Sequence, residues 1–263
     1  MALRGAVGAP GGGDLAIIEA RGIVKDYDTG KITVKALRGL DLVVEKGEMV
    51  AIMGPSGCGK TTLLNCLAGI DDITEGKIII EGKELSAMSD NARTDHRAQR
   101  MGFIFQAYNL LPVLTAVENV ELPLLVSGHG RKASRERALE ALKMVGLEER
   151  AAHKPTELSG GEQQRVTIAR SLVNSPAIVW ADEPTGNLDT EITLRIMDIL
   201  KTLNRKLNQT YVVVTHDARV GGLADRIVHM ENGRIVSEEV PKDGSIGPRD
   251  GTVRAAAPAA TGA

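Results

Sequence analysis

The stretch Gly54-Pro55-Ser56-Gly57-Cys58-Gly59-Lys60-Thr61-Thr62 decides the fold of this chain. It matches the pattern G-x-x-x-x-G-K-[ST], in which backbone N–H groups surround phosphate oxygens, the lysine reaches the outer phosphates and the hydroxyl binds Mg²⁺. The apolar run at 48–53 is typical of a buried strand, and residues 61–68 predict a helix that ends at Gly69. Because strand, loop and helix follow in the required order, the stretch predicts a phosphate site at a helix N-terminus rather than a plain glycine-rich turn.

Composition and charge indicate a globular protein. The chain has 263 residues with 43% hydrophobic content, enough for one large domain or two modest ones. Its 32 basic residues nearly balance 34 acidic ones, and only 2% of the residues are aromatic. Bulk charge and stacking capacity therefore both disfavour a nucleic-acid partner, and we expect none.

The sequence also indicates the compartment. No apolar run approaches the roughly 20 residues that span a bilayer, and residues 1–13 lack a sustained apolar core for export. Cys58 and Cys66 lie about 12 Å apart along the predicted helix, too far for a disulfide. A reducing compartment agrees with this spacing, and we expect the chain to stay in the cytoplasm.

The chain divides into a folded domain between two low-complexity ends. Residues 1–14 and 241–263 are rich in Gly, Ala and Pro and are predicted to be disordered, which leaves one domain over 15–240. In the first part, the predicted strands are 15–18, 32–34, 40–44, 48–53, 77–80 and 101–105. The first three of these form a predicted antiparallel group.

The middle and the end of the chain predict helices and a parallel core. A capping box at Thr115-Ala116-Val117-Glu118 and a helix over 134–145 place a helical subdomain at about 107–174. The runs 177–181 and 210–215 are typical of strands buried on both faces of a parallel sheet, with an amphipathic helix over 192–207 between them. Asn232-Gly233 predicts a closing hairpin. The predicted fold class is α/β, with a parallel-sheet nucleotide core and an antiparallel β subdomain.

Polar residues follow both buried strands of the predicted core. Asp182-Glu183 comes directly after 177–181, at the sheet edge where open α/β folds bind nucleotides. One carboxylate can hold Mg²⁺ through its water shell while the next orients the attacking water. His216 follows the other strand and can reach the outer phosphate or that water, although a purely structural histidine is the alternative.

A second candidate anion site lies at residues 158–165. Ser159 and Glu162 form the S-x-x-E capping box of a helix, and a helix start requires nothing more. The adjacent Gly160 and Gly161 in addition expose backbone N–H groups at the helix N-terminus. Two phosphate-binding helix starts in a chain with one nucleotide loop predict a composite site.

Taken in order, these residues resemble the ATP-binding subunits of ABC transporters, over nearly all of residues 17–240. The implied fold is a P-loop NTPase of ABC type. The resemblance rests on the phosphate loop, Gln106, residues 158–165, Asp182-Glu183, the turn at 187–189 and His216. The phrases at residues 102–106, 109–112, 118–123 and 181–189 are most similar to the lipoprotein-releasing and macrolide-efflux branch.

The resemblance implies roles for the residues on the phosphate side. Lys60 and the loop amides of residues 54–62 would bind the β- and γ-phosphates of ATP. Thr61, Gln106 and Asp182 would hold Mg²⁺, partly through water. Cys58 stands where serine is common, which places a thiol at a helix N-terminus, so we expect alkylation there that ATP protects against.

The resemblance also assigns the catalytic and partner-facing residues. Glu183 would be the catalytic base, and His216 would contact the γ-phosphate. Tyr27 stands where the family places an aromatic ring on adenine, with a half-buried strand tyrosine as the alternative. The residues expected to contact ATP held by a second subunit are Ser159, Gly160, Gly161 and Gln163.

The implied function is that of a transport-coupled ATPase. Two copies would enclose two ATP molecules head to tail and drive integral membrane permease subunits, of export or lipoprotein-release type, from the inner face of the plasma membrane. The permease contact would lie around Gln106 and the helical segment after it. The alternative is a regulatory ATPase that signals through a membrane protein to cell-envelope enzymes without transport. Soluble ABC proteins of DNA repair or translation are disfavoured, since the chain has neither a long coiled-coil insertion nor a second ATPase unit.

Overall fold

The computed structural model describes residues 16–28, 30 and 32–241. The ends predicted to be disordered therefore lie outside the described residues, except Pro241. The strands are β1 Ala16–Asp28, β2 Thr33–Glu45, β3 Met49–Met53, β4 Glu75–Ile80, β5 Lys83–Glu84, β6 Met101–Phe105, β7 Ile178–Asp182, β8 Thr210–Val214, β9 Arg226–Glu231 and β10 Arg234–Glu239. The helices are α1 Lys60–Leu67, α2 Asp90–Arg100, α3 Ala116–Val126, α4 Arg131–Met144, α5 Gly160–Leu172, α6 Thr190–Leu207 and α7 Ala218–Gly221.

The central sheet has six strands in the order β10-β9-β3-β8-β7-β6. All neighbours from β9 to β6 are parallel, and only the β9–β10 hairpin is antiparallel. Ile52 pairs with Val214, Val214 with Asp182, and Asp182 with Phe105. The loops that follow β3, β8, β7 and β6 therefore leave the sheet side by side at one edge, which confirms the predicted parallel core.

Side chains of the central strands alternate between two hydrophobic cores. On β3, Met49 and Ala51 point to the core that contains α3 to α6, whereas Val50 and Ile52 point to the core that contains α1 and the smaller sheet. Because both faces are covered, β3, β7 and β8 are nearly continuous apolar runs, which is why they were recognisable as parallel strands from sequence.

The smaller sheet is antiparallel, with the order β2-β1-β4-β5. The strands predicted at 32–34 and 40–44 are in fact parts of one strand, β2, which pairs with β1 along its length. The pairing contains register shifts, and Gly22 and Gly39 near them have φ of 59° and 74°. Such bulges let a long strand bend while its pairing continues. Residues 35–39, between the two predicted strands, therefore belong to β2 and do not form a loop.

The helical region between β6 and β7 contains α3, α4 and α5. The predicted capping box is present: the Thr115 hydroxyl accepts from the Glu118 N–H at 3.4 Å, and the Glu118 carboxylate accepts from the Thr115 N–H at 2.8 Å. The helix predicted over 134–145 is α4; of the four apolar residues that its sequence places on one face, Ala138, Leu142 and Val145 are buried, but Leu139 is 40% exposed. The predicted helix at 192–207 is α6, on which Leu207 is likewise exposed.

Helix α2 has no counterpart in the sequence predictions. Its sequence, DNARTDHRAQR, has a single buried residue, His96, so it carries no apolar periodicity to detect. The Ser89 hydroxyl caps it by accepting from the Ala92 N–H at 3.4 Å. In the part of the chain that the structure describes, no helix has the length and apolar character needed to span a membrane.

A buried ion cluster fastens β9 to the start of β3. Arg226 is 18% exposed and donates to Glu48 at 2.8 Å, to Glu238 at 2.7 Å and to the Val43 carbonyl at 2.6 Å. Burial acts to lower the pKa of Arg226, but hydrogen bonds to Glu48 and the charges of both carboxylates raise it overall. The guanidinium therefore stays charged and bridges both sheets.

Removing this guanidinium should destabilise the fold. We expect Arg226→Met to lower the free energy of unfolding by about 3 kcal/mol, because two partly buried carboxylates lose their partner. Arg234→Met, an exposed arginine on the same hairpin, should cost under about 0.5 kcal/mol. Urea unfolding followed by fluorescence of Trp180, which is fully buried, measures both. Equal midpoints for the two variants would contradict the bridging role.

Candidate nucleotide-binding site

The phosphate loop joins β3 to α1 through glycines whose backbone other residues cannot adopt easily. Gly57 and Gly59 have φ of 76° and 105°, in the left-handed region. At Gly54, a Cβ would stand 2.1 Å from the Met230 carbonyl oxygen, so the loop needs glycine there for close approach to β9. Helix α1 then begins at Lys60 without a side-chain cap, which leaves its first N–H groups for a ligand.

The Lys60 ammonium is held inside this loop. It donates to the carbonyl oxygens of Gly54 at 2.8 Å and Pro55 at 2.9 Å, and the residue is only 8% exposed. A buried positive charge at a helix N-terminus creates a strongly anion-attracting concavity. The loop therefore has the chemistry to bind a polyphosphate.

The loop also touches the first of the two adjacent carboxylates. The Thr61 hydroxyl donates to Asp182 Oδ1 at 3.2 Å across 121 residues of sequence. Burial raises the pKa of Asp182, as does the charge of Glu183, while the Thr61 hydrogen bond lowers it. A hydroxyl and a partly buried carboxylate are oxygen donors of the kind that Mg²⁺ accepts together with water and phosphate oxygens. These two residues therefore fit a Mg²⁺ ion.

The third predicted Mg²⁺ contact, Gln106, follows β6 at the same edge but has other neighbours. The Gln106 side-chain nitrogen lies 3.4 Å from Asn187 Oδ1, and the Gln106 backbone carbonyl accepts from Asn187 Nδ2 at 2.8 Å. A Cβ at Gly186 would stand 2.7 Å from the same Gln106 nitrogen. No hydrogen bond within residues 32–241 joins Gln106 to Thr61 or Asp182, so its place in the Mg²⁺ shell stays a prediction.

Glu183 and His216 form a hydrogen-bonded pair. His216 Nδ1 lies 2.7 Å from Glu183 Oε1, and because a carboxylate only accepts, Nδ1 is the donor. Glu183 has φ of 48°, a left-handed conformation that is strained for this residue, and its N–H donates to the Val214 carbonyl at 2.9 Å. These bonds hold the turn, and the Glu183 side chain remains 18% exposed. It lies next in sequence to Asp182, which contacts the phosphate loop through Thr61.

The second predicted anion site begins helix α5. The Ser159 hydroxyl accepts from the Glu162 N–H at 3.3 Å, and Glu162 accepts from the Ser159 N–H at 2.8 Å, so the predicted capping box is confirmed. Gly161 is buried, and a Cβ there would stand 2.8 Å from Ile192 Cγ2 on α6. The Gln163 side chain turns back and donates to the Leu158 carbonyl at 3.1 Å.

Ser159, Gly160 and Gly161 do not meet the phosphate loop within one chain. A Cβ at Gly160 would stand 3.0 Å from the Tyr108 hydroxyl and one at Gly161 2.8 Å from Ile192 Cγ2, whereas the neighbours of the loop include β2, β9 and Asp182. The structure thus brings together Lys60, Thr61, Asp182, Glu183 and His216 at one edge, whereas in the described part of the chain Ser159, Gly160 and Gly161 make no hydrogen bond with residues 54–62.

Acid should weaken the cap of α5. Hydrogen bonding from the Ser159 backbone, and then from its side chain, lowers the pKa of Glu162 below its ordinary value of 4.5. The carboxylate therefore contributes stability above about pH 4.5 and loses it as the pH falls through its folded-state value. Relative to Glu162→Gln, which keeps the capping pattern, the wild-type chain should lose unfolding free energy between pH 7 and pH 3. Exposed Glu140→Gln provides the control; a pH-independent difference for Glu162→Gln would contradict this.

Comparison with known proteins identifies the family. The ABC transporter family profile matches residues 37–186 of this chain. An uncharacterized ABC transporter ATP-binding protein of Methanocaldococcus jannaschii, MJ0796, is 46% identical over 227 residues, which are 85% of this chain and 97% of the relative. The chain belongs to the ABC transporter family. The predicted family and fold class are therefore confirmed.

Two further similarities refine this result. The lipoprotein-releasing system ATP-binding protein LolD of Pseudomonas syringae pv. tomato is 46% identical over 223 residues, covering 85% of this chain and 98% of LolD. A dimeric structure of the ATP-binding cassette MJ0796, in a post-hydrolysis state bound to ADP and Pi, superposes with a TM-score of 0.79. That structural match has 43% identity and covers 86% of this chain and 99% of MJ0796.

Several contacts of the ABC transporter site have no signal in the sequence. Gln164 is fully buried on α5 and donates to the Pro184 carbonyl directly after Glu183, which links α5 to the turn at Asp182-Glu183. Arg170 donates to the carbonyls of Tyr108 at 2.8 Å and Asn109 at 2.6 Å. Both carbonyl positions are in left-handed turns, so only the folded backbone presents them.

Tyr27 lies on β1 opposite Val34 and is 38% exposed. Its hydroxyl donates to Asp71 Oδ2 at 2.6 Å. Burial and the Asp71 hydrogen bond raise the pKa of Tyr27, while a hydrogen bond with Thr62 of the phosphate loop lowers it. The ring therefore sits beside the phosphate loop with part of its surface free, as adenine stacking requires, and this stacking stays a prediction.

The expectation of a reactive thiol in the phosphate loop is wrong. Cys58 is 5% exposed and belongs to the hydrophobic core around α1. Its Sγ lies 2.9 Å from where a Cβ of Gly54 would stand, which places the thiol under the loop. An alkylating reagent has no access to it in the folded chain, so only the backbone of Cys58 faces the phosphate side. Both cysteines are free, as their predicted spacing required.

Proposed function

We propose that this chain is the ATP-hydrolysing subunit of a membrane transporter of the lipoprotein-releasing or export type. The observation that carries the proposal is the division of the site. The turn at Asp182-Glu183 and the phosphate loop are joined by a hydrogen bond, whereas in the described part of the chain no hydrogen bond joins Ser159, Gly160 or Gly161 to that loop. A complete site then needs two copies, arranged head to tail around two ATP molecules.

In this arrangement each chain supplies a different half to each ATP. Lys60 and the free N–H groups at the start of α1 bind the β- and γ-phosphates. Ser159 and the amides of Gly160 and Gly161 reach the γ-phosphate held by the partner copy, with Gln163 beside them. The dimeric ADP-bound structure of MJ0796 supports this proposal, since that protein is 43% identical in sequence and similar over most of the fold.

Glu183 is proposed to act as the general base. Its carboxylate takes the proton of the water that attacks the γ-phosphorus in line, and the β–γ bridging oxygen leaves with ADP. His216 orients this carboxylate through the 2.7 Å hydrogen bond. Donation from Nε2 to the γ-phosphate at the same time requires the imidazolium, because Nδ1 already donates to Glu183. Thr61, Gln106 and Asp182 would hold a Mg²⁺ ion, which when bound would supply positive charge opposite the developing charge of the phosphate.

The membrane side of the proposal rests on the similarity to LolD, which is a lipoprotein-releasing system protein. The partners are integral membrane permease subunits that contact Gln106 and the helical segment after it. The chain then works as a cytoplasmic subunit bound peripherally to the inner face of the plasma membrane. ATP binding closes the two copies, hydrolysis opens them, and the permease converts this motion into substrate release.

Native purification and reconstitution test this function. The tagged chain is purified from native membranes, its integral membrane partner is identified by mass spectrometry, and the complex is placed in proteoliposomes loaded with a fluorescent lipoprotein. We expect ATP-dependent release of the lipoprotein to an acceptor, absent with Glu183→Gln. ATP turnover without release, together with activation of a cell-envelope enzyme, would instead favour the regulatory ATPase.

A further inference from the structure

Two charged side chains that belong to none of the motifs hold Tyr27. Asp71 accepts the Tyr27 hydroxyl through Oδ2 at 2.6 Å and the Lys25 ammonium through Oδ1 at 2.7 Å. Lys25 also donates to the Asp72 carbonyl at 2.7 Å. The same ammonium lies 4.6 Å from the centre of the Tyr27 ring. Hydroxyl, carboxylate and ammonium thus form a closed triangle around one face and one end of the ring.

Burial and charge pairing fix the positions of Lys25 and Asp71 in this triangle. Lys25 is only 9% exposed, and a buried ammonium is costly unless it is paired. Burial acts to lower the pKa of Lys25, but the hydrogen bond and charge of Asp71 raise it overall. Burial acts to raise the pKa of Asp71, but Lys25 and Tyr27 lower it overall. Both groups are therefore charged at neutral pH, and the cation–π contact adds to their hold on the ring.

The ring that they hold is presented outward, beside the nucleotide loop. Tyr27 is 38% exposed although its hydroxyl is anchored, and its neighbour Thr62 belongs to the phosphate loop. The chain has only one tryptophan, three tyrosines and two phenylalanines, so an exposed, fixed ring next to a phosphate site is uncommon in this sequence. With one face against the Lys25 ammonium, the opposite face is the one open to a planar ligand.

We infer that Lys25 and Asp71 are positioning residues for the nucleotide base: they lock Tyr27 in the orientation that presents one ring face to adenine. This inference rests on the proposed function and on the predicted stacking of Tyr27 on adenine. A tyrosine that is already ordered loses less side-chain entropy when the base binds. Lys25 and Asp71 together are called the brace. Without the brace, the Tyr27 ring is mobile until the ligand orders it, so affinity for the base falls while affinity for the phosphates is unchanged.

The test separates base affinity from phosphate affinity. Isothermal titration of the full chain with Mg²⁺-ADP and, separately, Mg²⁺-pyrophosphate gives the ratio of the two dissociation constants. Tyr27→Ala should weaken ADP binding about tenfold or more. Lys25→Met and Asp71→Ala should each weaken it about three- to tenfold, with pyrophosphate binding within about twofold of wild type. Lys77 is an exposed lysine of the same sheet, and Lys77→Met should change the dissociation constant of neither ligand.

Tyr27→Phe provides a second variant that needs no buried charge to be removed. It keeps the ring and loses the hydrogen bonds of the hydroxyl to Asp71 and Thr62, and it should weaken ADP binding about threefold. If Tyr27→Ala abolishes base discrimination but Lys25→Met, Asp71→Ala and Tyr27→Phe all preserve it, stacking stands and the brace is overturned. If Tyr27→Ala itself leaves the ratio unchanged, the stacking role fails and the brace fails with it. If the two charge variants do not fold in thermal melts, an unchanged ratio for Tyr27→Phe overturns the brace.

Discussion

Glu183→Gln should lower ATP turnover by at least about a hundredfold while ATP binding is retained. The glutamine has the same shape but cannot accept a proton from the attacking water, and a general base contributes about 10²- to 10⁴-fold. Lys60 and Thr61, which are proposed to bind the phosphates and Mg²⁺, are unaffected by the change. Because nothing then removes the γ-phosphate, the ATP-bound dimer should accumulate. Phosphate release and light scattering after size exclusion, with and without ATP, measure both effects.

The control for this substitution is Glu140→Gln, an exposed glutamate of α4 that belongs to none of the predicted site motifs. It should turn over ATP at the wild-type rate and form no trapped dimer. Turnover of Glu183→Gln within about twofold of wild type would contradict the role of Glu183 as the base. A large loss of ATP affinity in the same variant would instead assign Glu183 to binding.

Ser159→Arg should abolish dimer closure and hydrolysis while a single chain still binds ATP. The hydroxyl that caps α5 is lost, and a large cation then occupies the surface proposed to receive the partner's γ-phosphate. Loss of the cap alone costs about 1 kcal/mol of stability, too little to unfold the chain. The sharpest measurement combines Ser159→Arg with Glu183→Gln, since the trapped dimer of the single variant should disappear in the double variant.

Thr115→Arg is a matched control for the cap itself. Thr115 makes the same capping box with Glu118 at the start of α3, in the same helical region. This control should therefore lose similar stability, yet the isolated chain should still dimerise with ATP and hydrolyse it. If Ser159→Arg retained ATP-dependent dimers and cooperative hydrolysis, a site shared between two chains would be contradicted.

Local interactions explain what could be predicted from sequence. The capping boxes at Thr115 and Ser159 join residues three apart, and the hairpin depends on Asn232 and Gly233, whose φ values of 48° and 76° suit a tight turn. The phosphate loop is also largely local, since Gly57 has a left-handed φ and Lys60 donates to Gly54 and Pro55 within one short segment. Helix α2 was not predicted because it is polar on nearly every face and so has no apolar periodicity. It is held instead by ion pairs such as Arg93 with Asp72.

The sequence by itself determined which chemical groups this protein has, their order along the chain and the family to which they belong. Only the tertiary structure decided which of them meet. Placing β8 between β3 and β7 brings Thr61 to Asp182 and His216 to Glu183, whereas Ser159 stays apart from the loop that it resembles in chemistry. It also buried Cys58 and fastened Tyr27 to Asp71. The physical reason is that strand order and side-chain burial depend on covering both faces of one sheet, and no short segment encodes that requirement.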